Sequence, residues 1–174
     1  NPTIRKPAWL LAFIRRQVRP HLSALIHRWA AALLTMPTTR LEFTIPGTPM
    51  AWARARTNGA RHFTADSQRA YKRAVALLAA QAMAGRAPFT GPVALALVAV
   101  FEPPASWSKA RREAALAGEA LPQSKPDWDN LGKITSDALN GIAYKDDAQV
   151  VDGRVLKRFG SRARVEVAVS GGRE

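Results

Sequence analysis

Residues 125–133, with the sequence KPDWDNLGK, bring two carboxylates and one ammonium close together. One tryptophan separates Asp127 from Asp129, and Lys133 follows Asp129 by four positions, which places both on the same face of a helix. Paired carboxylates are ligands for hard cations such as Mg²⁺. The same spacing is also typical of a helix start, where an aspartate caps free backbone N–H groups. On spacing alone, the capping interpretation is the more common one.

A second acidic pair, Asp146 and Asp147, lies in the segment KDDAQVVD. A turn at Gly141 would let the chain fold back, so we expect these carboxylates to approach the first pair. Several carboxylates that converge repel one another unless a divalent cation lies among them. The chain has no cysteine and three histidines, which excludes thiolate sites and disfavours zinc. The sequence therefore predicts a site for Mg²⁺, with Mn²⁺ as a substitute.

The charge balance points to a polyanionic partner. Lys and Arg number 26 against 13 Asp and Glu, a net charge of +13, which favours nucleic acid over a generic surface excess. Taken singly, each basic residue is an ordinary solvated charge, but two clusters are expected to line a DNA channel. They are Arg54, Arg56, Arg61, Arg69 and Arg73 around the first hairpin and helix, and Lys157, Arg158, Arg162 and Arg164 in the last hairpin.

Residues 1–35 differ from the rest because they contain six basic residues and no acidic one. Arginines and Pro20 interrupt the apolar runs, so no stretch of about 20 apolar residues could span a bilayer. A basic amphipathic helix or an organellar transit peptide would have this composition. We favour an upstream extension, as an overlong start would give, followed by one domain over residues 36–174.

The pattern from Met36 onward predicts an α/β (α+β) fold, a mixed sheet flanked by helices in a single domain. Strands are expected at 41–45, 93–101 and on either side of Gly160, and a hairpin turn at Asn58-Gly59. Helices are expected at about 65–84, capped by Thr64 and stopped by Gly85, and at 106–120 and 129–140. Predicted buried positions are Tyr71, Val75, Leu78 and Ala82 in the first helix and Leu131, Ile134 and Ala138 in the last.

The segment KPDWDNLGKITSDALNGIAYKDDAQVVDGRV resembles the core motif of the RusA-type Holliday junction resolvases, crossover junction endodeoxyribonucleases common in prophages. That motif reads Asp-x-Asp-Asn-Leu, a lysine two residues later, Asp-Ala-Leu, and then Asp-Asp-x-Gln-Val. The segment FTIPGTPMAWARAR is similar to the N-terminal strand and basic turn of phage members. The resemblance runs from about Leu41 to Val169 and leaves out residues 1–35.

The resemblance implies a set of catalytic residues. The essential metal-site carboxylates of the family fall on Asp127, Asp129 and Asp147, and the motif lysine falls on Lys133. Asp146 is either a further metal ligand or a solvated turn residue.

Other motif positions are assigned to structure. Asn130 and Gln149 are expected to make backbone or supporting hydrogen bonds, and Asp137 to pair or cap near the helix face. For Trp128, at the variable position, packing against the fold is favoured over stacking on an unpaired base.

The function expected from this resemblance is magnesium-dependent hydrolysis of DNA phosphodiesters in recombination and repair. Paired, symmetric nicks would resolve a Holliday junction and leave 5′-phosphate and 3′-hydroxyl ends. A C2 homodimer would place one site over each strand to be cut, with the strand edges near 93–101 or 149–157 as candidate interfaces. The expected location is the cytoplasm, without a membrane or a small-molecule cofactor.

Three alternatives remain. A less selective nuclease would act on flaps, forks or other branched DNA. A non-catalytic DNA-binding protein could keep the same fold, although it has no use for a repulsive acidic cluster. A small-molecule phosphohydrolase would not need two arginine clusters.

Overall fold

In the computed structural model, residues 39–53, 56–58, 61–63 and 66–171 are described. Their elements are β1 (Thr39–Pro46), β2 (Arg56–Asn58), β3 (Arg61–Phe63), α1 (Asp66–Met83), β4 (Val93–Phe101), α2 (Lys109–Leu116), α3 (Trp128–Leu139), a 3₁₀ turn (Asp147–Gln149), β5 (Val150–Phe159) and β6 (Arg164–Gly171). Among these residues, no helix combines the length and hydropathy needed to cross a membrane. The predicted extension 1–35 lies outside the described residues, so its boundary stays a prediction.

The main sheet has four strands in the order β1-β6-β4-β5. Strand β4, whose sequence VALALVAVF is apolar throughout, pairs parallel to β5 and antiparallel to β6. Strand β6 pairs antiparallel to β1. The separate short strands β2 and β3 pair antiparallel with Asn58 opposite Arg61, as the hairpin prediction requires. The mixed sheet with helices confirms the predicted fold class.

Two expectations about strand pairing were wrong. The strands on either side of Gly160 do not form a hairpin with each other, because β4 lies between β5 and β6. The Gly160 N–H donates to the carbonyl of Phe101 at the end of β4, at 2.9 Å. Since β4 is paired on both sides, residues 93–101 offer no free edge for a dimer. The edge strands of this sheet are β1 and β5.

The hydrophobic core joins the sheet to α1 and α3. Buried members include Leu41 and Ile45 of β1, Leu95 and Leu97 of β4, Val165, Val167 and Val169 of β6, Val75, Ala79 and Met83 of α1, and Ala138 and Leu139 of α3. The predicted inner faces are confirmed. Leu131, Ile134 and Ala138 are buried, and Tyr71, Leu78 and Ala82 pack partly buried against the core around Val75.

Local backbone signals set the helix ends. Gly85 has φ +76°, the left-handed conformation that stops α1 as predicted. Thr64, its predicted cap, lies outside the described residues. Helix α2 is shorter than the predicted 106–120 for two reasons. Ser108 caps its start by accepting a hydrogen bond from the Arg111 N–H, and Gly118, with φ +85°, follows its end.

Helix α3 approaches β5 closely at one position of the motif. A Cβ atom on Gly132 would lie 3.3 Å from Cγ2 of Val155, tighter than most side chains tolerate. The glycine therefore lets the helix that carries Asp129 and Lys133 settle onto the edge strand.

Candidate active site

The start of α3 presents two exposed carboxylates. Asp127 is the N-cap residue, with extended backbone angles of φ −71° and ψ 147°, yet its side chain makes no capping hydrogen bond. Asp129 lies in the first turn, and both side chains are exposed. The capping interpretation that spacing favours therefore does not hold for Asp127. The helix N-terminus still favours negative charge here, because the unpaired N–H groups carry partial positive charge.

Both carboxylates open onto one surface depression with a volume of about 500 Å³. Its wall is formed by Pro122, Gln123, Ser124, Asp127, Trp128, Asp129 and Lys157. Trp128 is 63% exposed, so the expectation that it packs against the fold was wrong. The buried side of α3 is filled by Leu131 and Ile134 instead, and the described residues leave the indole uncovered.

Lys157 of β5 holds the loop that leads into this turn. Its Nζ donates to the carbonyl oxygens of Ser124 at 2.6 Å and Pro126 at 2.9 Å. The ammonium thus fixes the backbone directly before Asp127. The two bonds explain why the Lys157 side chain is half-buried, and no contact with DNA is needed for that explanation. Its predicted contact with DNA stays a prediction.

Lys133 shares a carboxylate with a second lysine. Its Nζ lies 3.3 Å from Oδ1 of Asp137, and Nζ of Lys72 lies 3.2 Å from Oδ2 of the same residue. The Lys133 ammonium is also 5.6 Å from the ring centre of Trp52. The predicted pairing role of Asp137 is confirmed, and Lys133 pairs with it rather than with Asp129.

Sequence reasoning missed Lys72, although a signal was present. Lys72 precedes Val75 by three positions and Ala79 by seven, so it lies on the α1 face that packs against the core. A basic residue in that register must find an anion or solvent at the border of the buried surface.

Gln149 fixes the turn that carries the second acidic pair. Its Oε1 accepts from the N–H groups of Lys145 and Asp146, and its Nε2 donates to the carbonyls of Phe89 and Gly91 at 3.0 and 2.9 Å. This confirms its predicted supporting role.

The neighbouring motif residues also make local bonds. Oδ1 of Asp146 accepts from the Ala148 N–H at 2.8 Å and caps the 3₁₀ turn. Asn130 contributes through its main chain, since its carbonyl accepts from the Trp52 N–H at 2.9 Å.

Asp147 lies near the second half of α3. Burial raises the pKa of Tyr144 to about 12, against the lowering effect of a hydrogen bond with Ser136, and the charges of Asp147 and Asp137 raise it further. The Tyr144 hydroxyl donates to the Ser136 carbonyl at 3.1 Å. Asp147 is therefore within electrostatic reach of this part of the helix, while it does not line the depression at Asp127 and Asp129.

The predicted carboxylate cage is only partly assembled. Within the part of the chain that the structure describes, no three Asp, Glu or His side chains lie close enough together to hold a metal ion. Asp127 and Asp129 share a surface, and Asp147 does not join them there.

The predicted DNA-contacting residues fall into three groups. Arg69 pairs with Asp66, and Arg158 and Arg164 both pair with Glu166, so part of their charge is compensated. Arg73 and Arg162 are exposed. Arg54 and the side chains of Arg56 and Arg61 lie outside the described residues.

The fold and the site motif together define a nuclease family. The family model of endodeoxyribonuclease RusA matches residues 46–170. The chain belongs to the RusA endodeoxyribonuclease family, which confirms the resemblance and makes DNA its partner.

The chain also has a similar relative in Bacillus subtilis (strain 168), the uncharacterized protein YqaN. The two are 40% identical over 136 residues, which cover 74% of this chain and 94% of the relative.

Proposed function

We propose that this protein is a magnesium-dependent endonuclease that resolves Holliday junctions by paired, symmetric nicks during DNA recombination and repair in the cytoplasm. The observation that carries the proposal is the pair of exposed carboxylates of Asp127 and Asp129 on one depression, of which Asp127 makes no capping hydrogen bond. Family membership supplies the substrate class, because the RusA model describes an endodeoxyribonuclease.

The donor set fits Mg²⁺. Magnesium is usually held by one or two carboxylates together with waters and substrate phosphates, so a cage of three protein carboxylates is not required in the chain alone. Asp127 and Asp129 would hold the ion, with Asp147 as the third carboxylate that the family motif implies and Asp146 as a further ligand. When bound, the metal supplies Lewis-acid polarisation of the phosphate and lowers the pKa of a bound water.

The lysines supply positive charge without a metal. Lys133 is one helical turn from Asp129, and its anchoring by Asp137 keeps a flexible side chain near the site. There it would stabilise the negative charge that develops on the phosphate as the 3′-oxygen leaves. Lys72, held by the same carboxylate, would add a second contact to the DNA backbone. The products would carry 5′-phosphate and 3′-hydroxyl ends.

The symmetry of the substrate favours a homodimer. A four-way junction has near-twofold symmetry, and a C2 dimer would place one site over each of the two strands to be cut. The edge strand β5 is the remaining candidate of the two predicted interfaces. It carries Lys157 and adjoins α3, so a dimer formed there would set the spacing between the two depressions.

A second candidate function is a DNA-binding protein that keeps the family fold without cleavage. The observation that favours it is the lack of a three-carboxylate cluster within the described residues. A less selective branched-DNA nuclease is a further variant of the main proposal, and the same assay tests both.

The deciding experiment compares a synthetic four-way junction with a linear duplex of the same sequence. Wild type, Asp129→Asn and the control Glu113→Gln, an exposed carboxylate on α2, are each incubated with Mg²⁺ or with EDTA. We expect symmetric nicks in the junction only, lost in Asp129→Asn and in EDTA and kept in Glu113→Gln. Cleavage of forks and flaps at equal rates would support the less selective nuclease. Binding of both substrates without metal-dependent cleavage would refute the enzyme.

A further inference from the structure

Trp128 is an exposed aromatic residue that lies in sequence between the two aspartates of the site, Asp127 and Asp129. It is 63% exposed, whereas tryptophan is on average highly buried in folded proteins. Its ring lines the same depression as Asp127 and Asp129. A large apolar ring left in water at this position indicates a partner that covers it.

Among the described residues, no aromatic or cationic side chain stacks on the indole. The aromatic and cation–π contacts found among the described residues are Trp107 with Phe159, Arg111 with Trp107, Lys133 with Trp52 and Lys157 with Phe101. None of them involves Trp128. The backbone of Trp128 is held in place, because Trp128 is the first residue of α3 and Lys157 donates a hydrogen bond to the loop before it.

We propose that Trp128 is a stacking platform for an unpaired nucleobase next to the phosphodiester that is cut. This inference rests on the proposed function and deepens it by naming a determinant of substrate choice. Stacking of a base on an aromatic side chain strengthens binding of single-stranded nucleic acid by about tenfold or more per base and tolerates any base.

The depression has the size and chemistry for a nucleotide. Its volume of about 500 Å³ is within the range of small-ligand sites. Gln123 and Ser124 also line it and offer an amide and a hydroxyl for the polar edge of a base. The base would lie against Trp128, and its phosphate would lie at the Asp127 and Asp129 carboxylates that hold the metal.

Such a platform would distinguish branched from linear DNA. In an intact duplex, both faces of every base are already stacked, so a nucleotide must leave the stack before it can cover the indole. Bases at a branch point lose part of their stacking, and presenting one of them to Trp128 costs less there. Trp128 would therefore raise affinity for a junction while leaving affinity for a linear duplex nearly unchanged.

The test measures binding separately from cleavage. Wild type, Trp128→Ala, Trp128→Phe and the control Leu77→Ala are titrated with a four-way junction and with a linear duplex, in Ca²⁺ instead of Mg²⁺. Leu77 is 61% exposed on α1 and thus matches the loss of an exposed apolar side chain. The junction carries 2-aminopurine at the crossover, whose emission reports stacking.

We expect Trp128→Ala to lose about tenfold in junction affinity, with duplex affinity within twofold of wild type. The change in 2-aminopurine emission should vanish in Trp128→Ala, be partly kept in Trp128→Phe and remain in Leu77→Ala. Unchanged junction affinity in Trp128→Ala would overturn the platform. So would a variant that sediments as a monomer where wild type sediments as a dimer, since a second copy of the chain would then cover the indole.

The two proposals fail in different ways. If wild type cuts the junction in Mg²⁺ but Trp128→Ala binds it normally, the nuclease stands and the platform does not. If the Trp128-dependent binding is seen without any cleavage in Mg²⁺, the platform stands as a determinant of junction binding and the nuclease does not.

Discussion

One carboxylate oxygen of Asp137 lies 3.3 Å from the ammonium of Lys133, the lysine of the family motif. The other oxygen lies 3.2 Å from the ammonium of Lys72, which comes from a different helix. Asp137 is 19% exposed, so this shared carboxylate is screened by protein on most sides. The single carboxylate of Asp137 thus holds two ammonium groups, and the three side chains together carry a net positive charge.

We expect Asp137→Asn to slow cleavage without weakening DNA binding. The amide cannot hold both ammonium groups, and a misplaced Lys133 should reduce single-turnover cleavage by about tenfold or more. Junction affinity should stay the same or rise, because the substitution removes a negative charge. The melting temperature should change little, since partly exposed ion pairs contribute only about 0–1 kcal/mol each. Glu113→Gln, which removes the exposed partner of Lys109, is the matched control. A normal cleavage rate in Asp137→Asn would show that Lys133 does not depend on this anchor.

Lys157→Met should raise the Mg²⁺ concentration needed for half-maximal cleavage by roughly tenfold. Without the two hydrogen bonds to Ser124 and Pro126, the backbone before Asp127 is less well fixed and the carboxylate is less well oriented. Metal titrations of cleavage measure the effect, with Lys109→Met as a control for loss of a surface charge. A different pattern, with an unchanged Mg²⁺ requirement but a lower salt dependence of DNA binding, would identify Lys157 as a phosphate contact instead.

Gln149→Glu should destabilise the protein by about 1–3 kcal/mol, although the two side chains have nearly the same shape. The amide donates to the carbonyls of Phe89 and Gly91, and an ionised carboxylate would face these two oxygens without a proton to donate. Urea unfolding at pH 7 measures the loss, and lowering the pH toward 4 should recover part of it by protonating the glutamate. Gln81→Glu, at an exposed position of α1, serves as the control. Equal stability of Gln149→Glu and wild type would mean that these two bonds do not hold the turn.

Tyr144 should make the protein sensitive to alkaline pH. Its pKa is about 12 in the folded protein and about 10 when unfolded. The neutral phenol therefore makes its full contribution to the free energy of unfolding below pH 10. Above pH 10 the unfolded chain loses its proton first, and up to about 2–3 kcal/mol of stability is lost as the pH rises to 12.

Tyr144→Phe tests this account. The substitution removes the hydrogen bond to the Ser136 carbonyl, so it should lower the free energy of unfolding at pH 8 by about 1 kcal/mol. Between pH 10 and 12, the free energy of unfolding of Tyr144→Phe should fall less steeply than that of wild type. Urea unfolding of both proteins across this range gives the comparison. Parallel stability curves for the two proteins would contradict the assignment.

Local patterns were enough to predict most elements of the fold. The apolar run of β4, the inner face of α3 and the stop at Gly85 each depend on residues that are close in sequence, and each was predicted. The order of the strands was not, because whether β5 pairs with β6 or with β4 depends on which neighbour covers more apolar surface in the assembled sheet.

The candidate site divides in the same way. Asp127, Asp129 and Lys133 lie within one helical start and were found from spacing and motif. Lys72 was missed because it meets Asp137 across 65 positions of the chain, and the loop contact of Lys157 spans more than 30. The exposure of Trp128 was mispredicted because a tryptophan next to a helix usually finds a covering element, and the described loop before α3 does not provide one.

The parallel pairing of β4 with β5 has a consequence for when the enzyme becomes active. A parallel pair requires the intervening chain to cross back along the sheet, and here that crossing segment carries Asp127, Asp129, Lys133 and Asp147. Because Lys157 of β5 fixes the loop before Asp127, we expect these residues to take their places only after β5 has been synthesised and has joined β4. A nascent chain on the ribosome would hold all four residues and still be inert, which would protect nearby DNA from a half-made nuclease. We expect a chain that ends at Gln149 to show no cleavage and no slowly exchanging amides in β4.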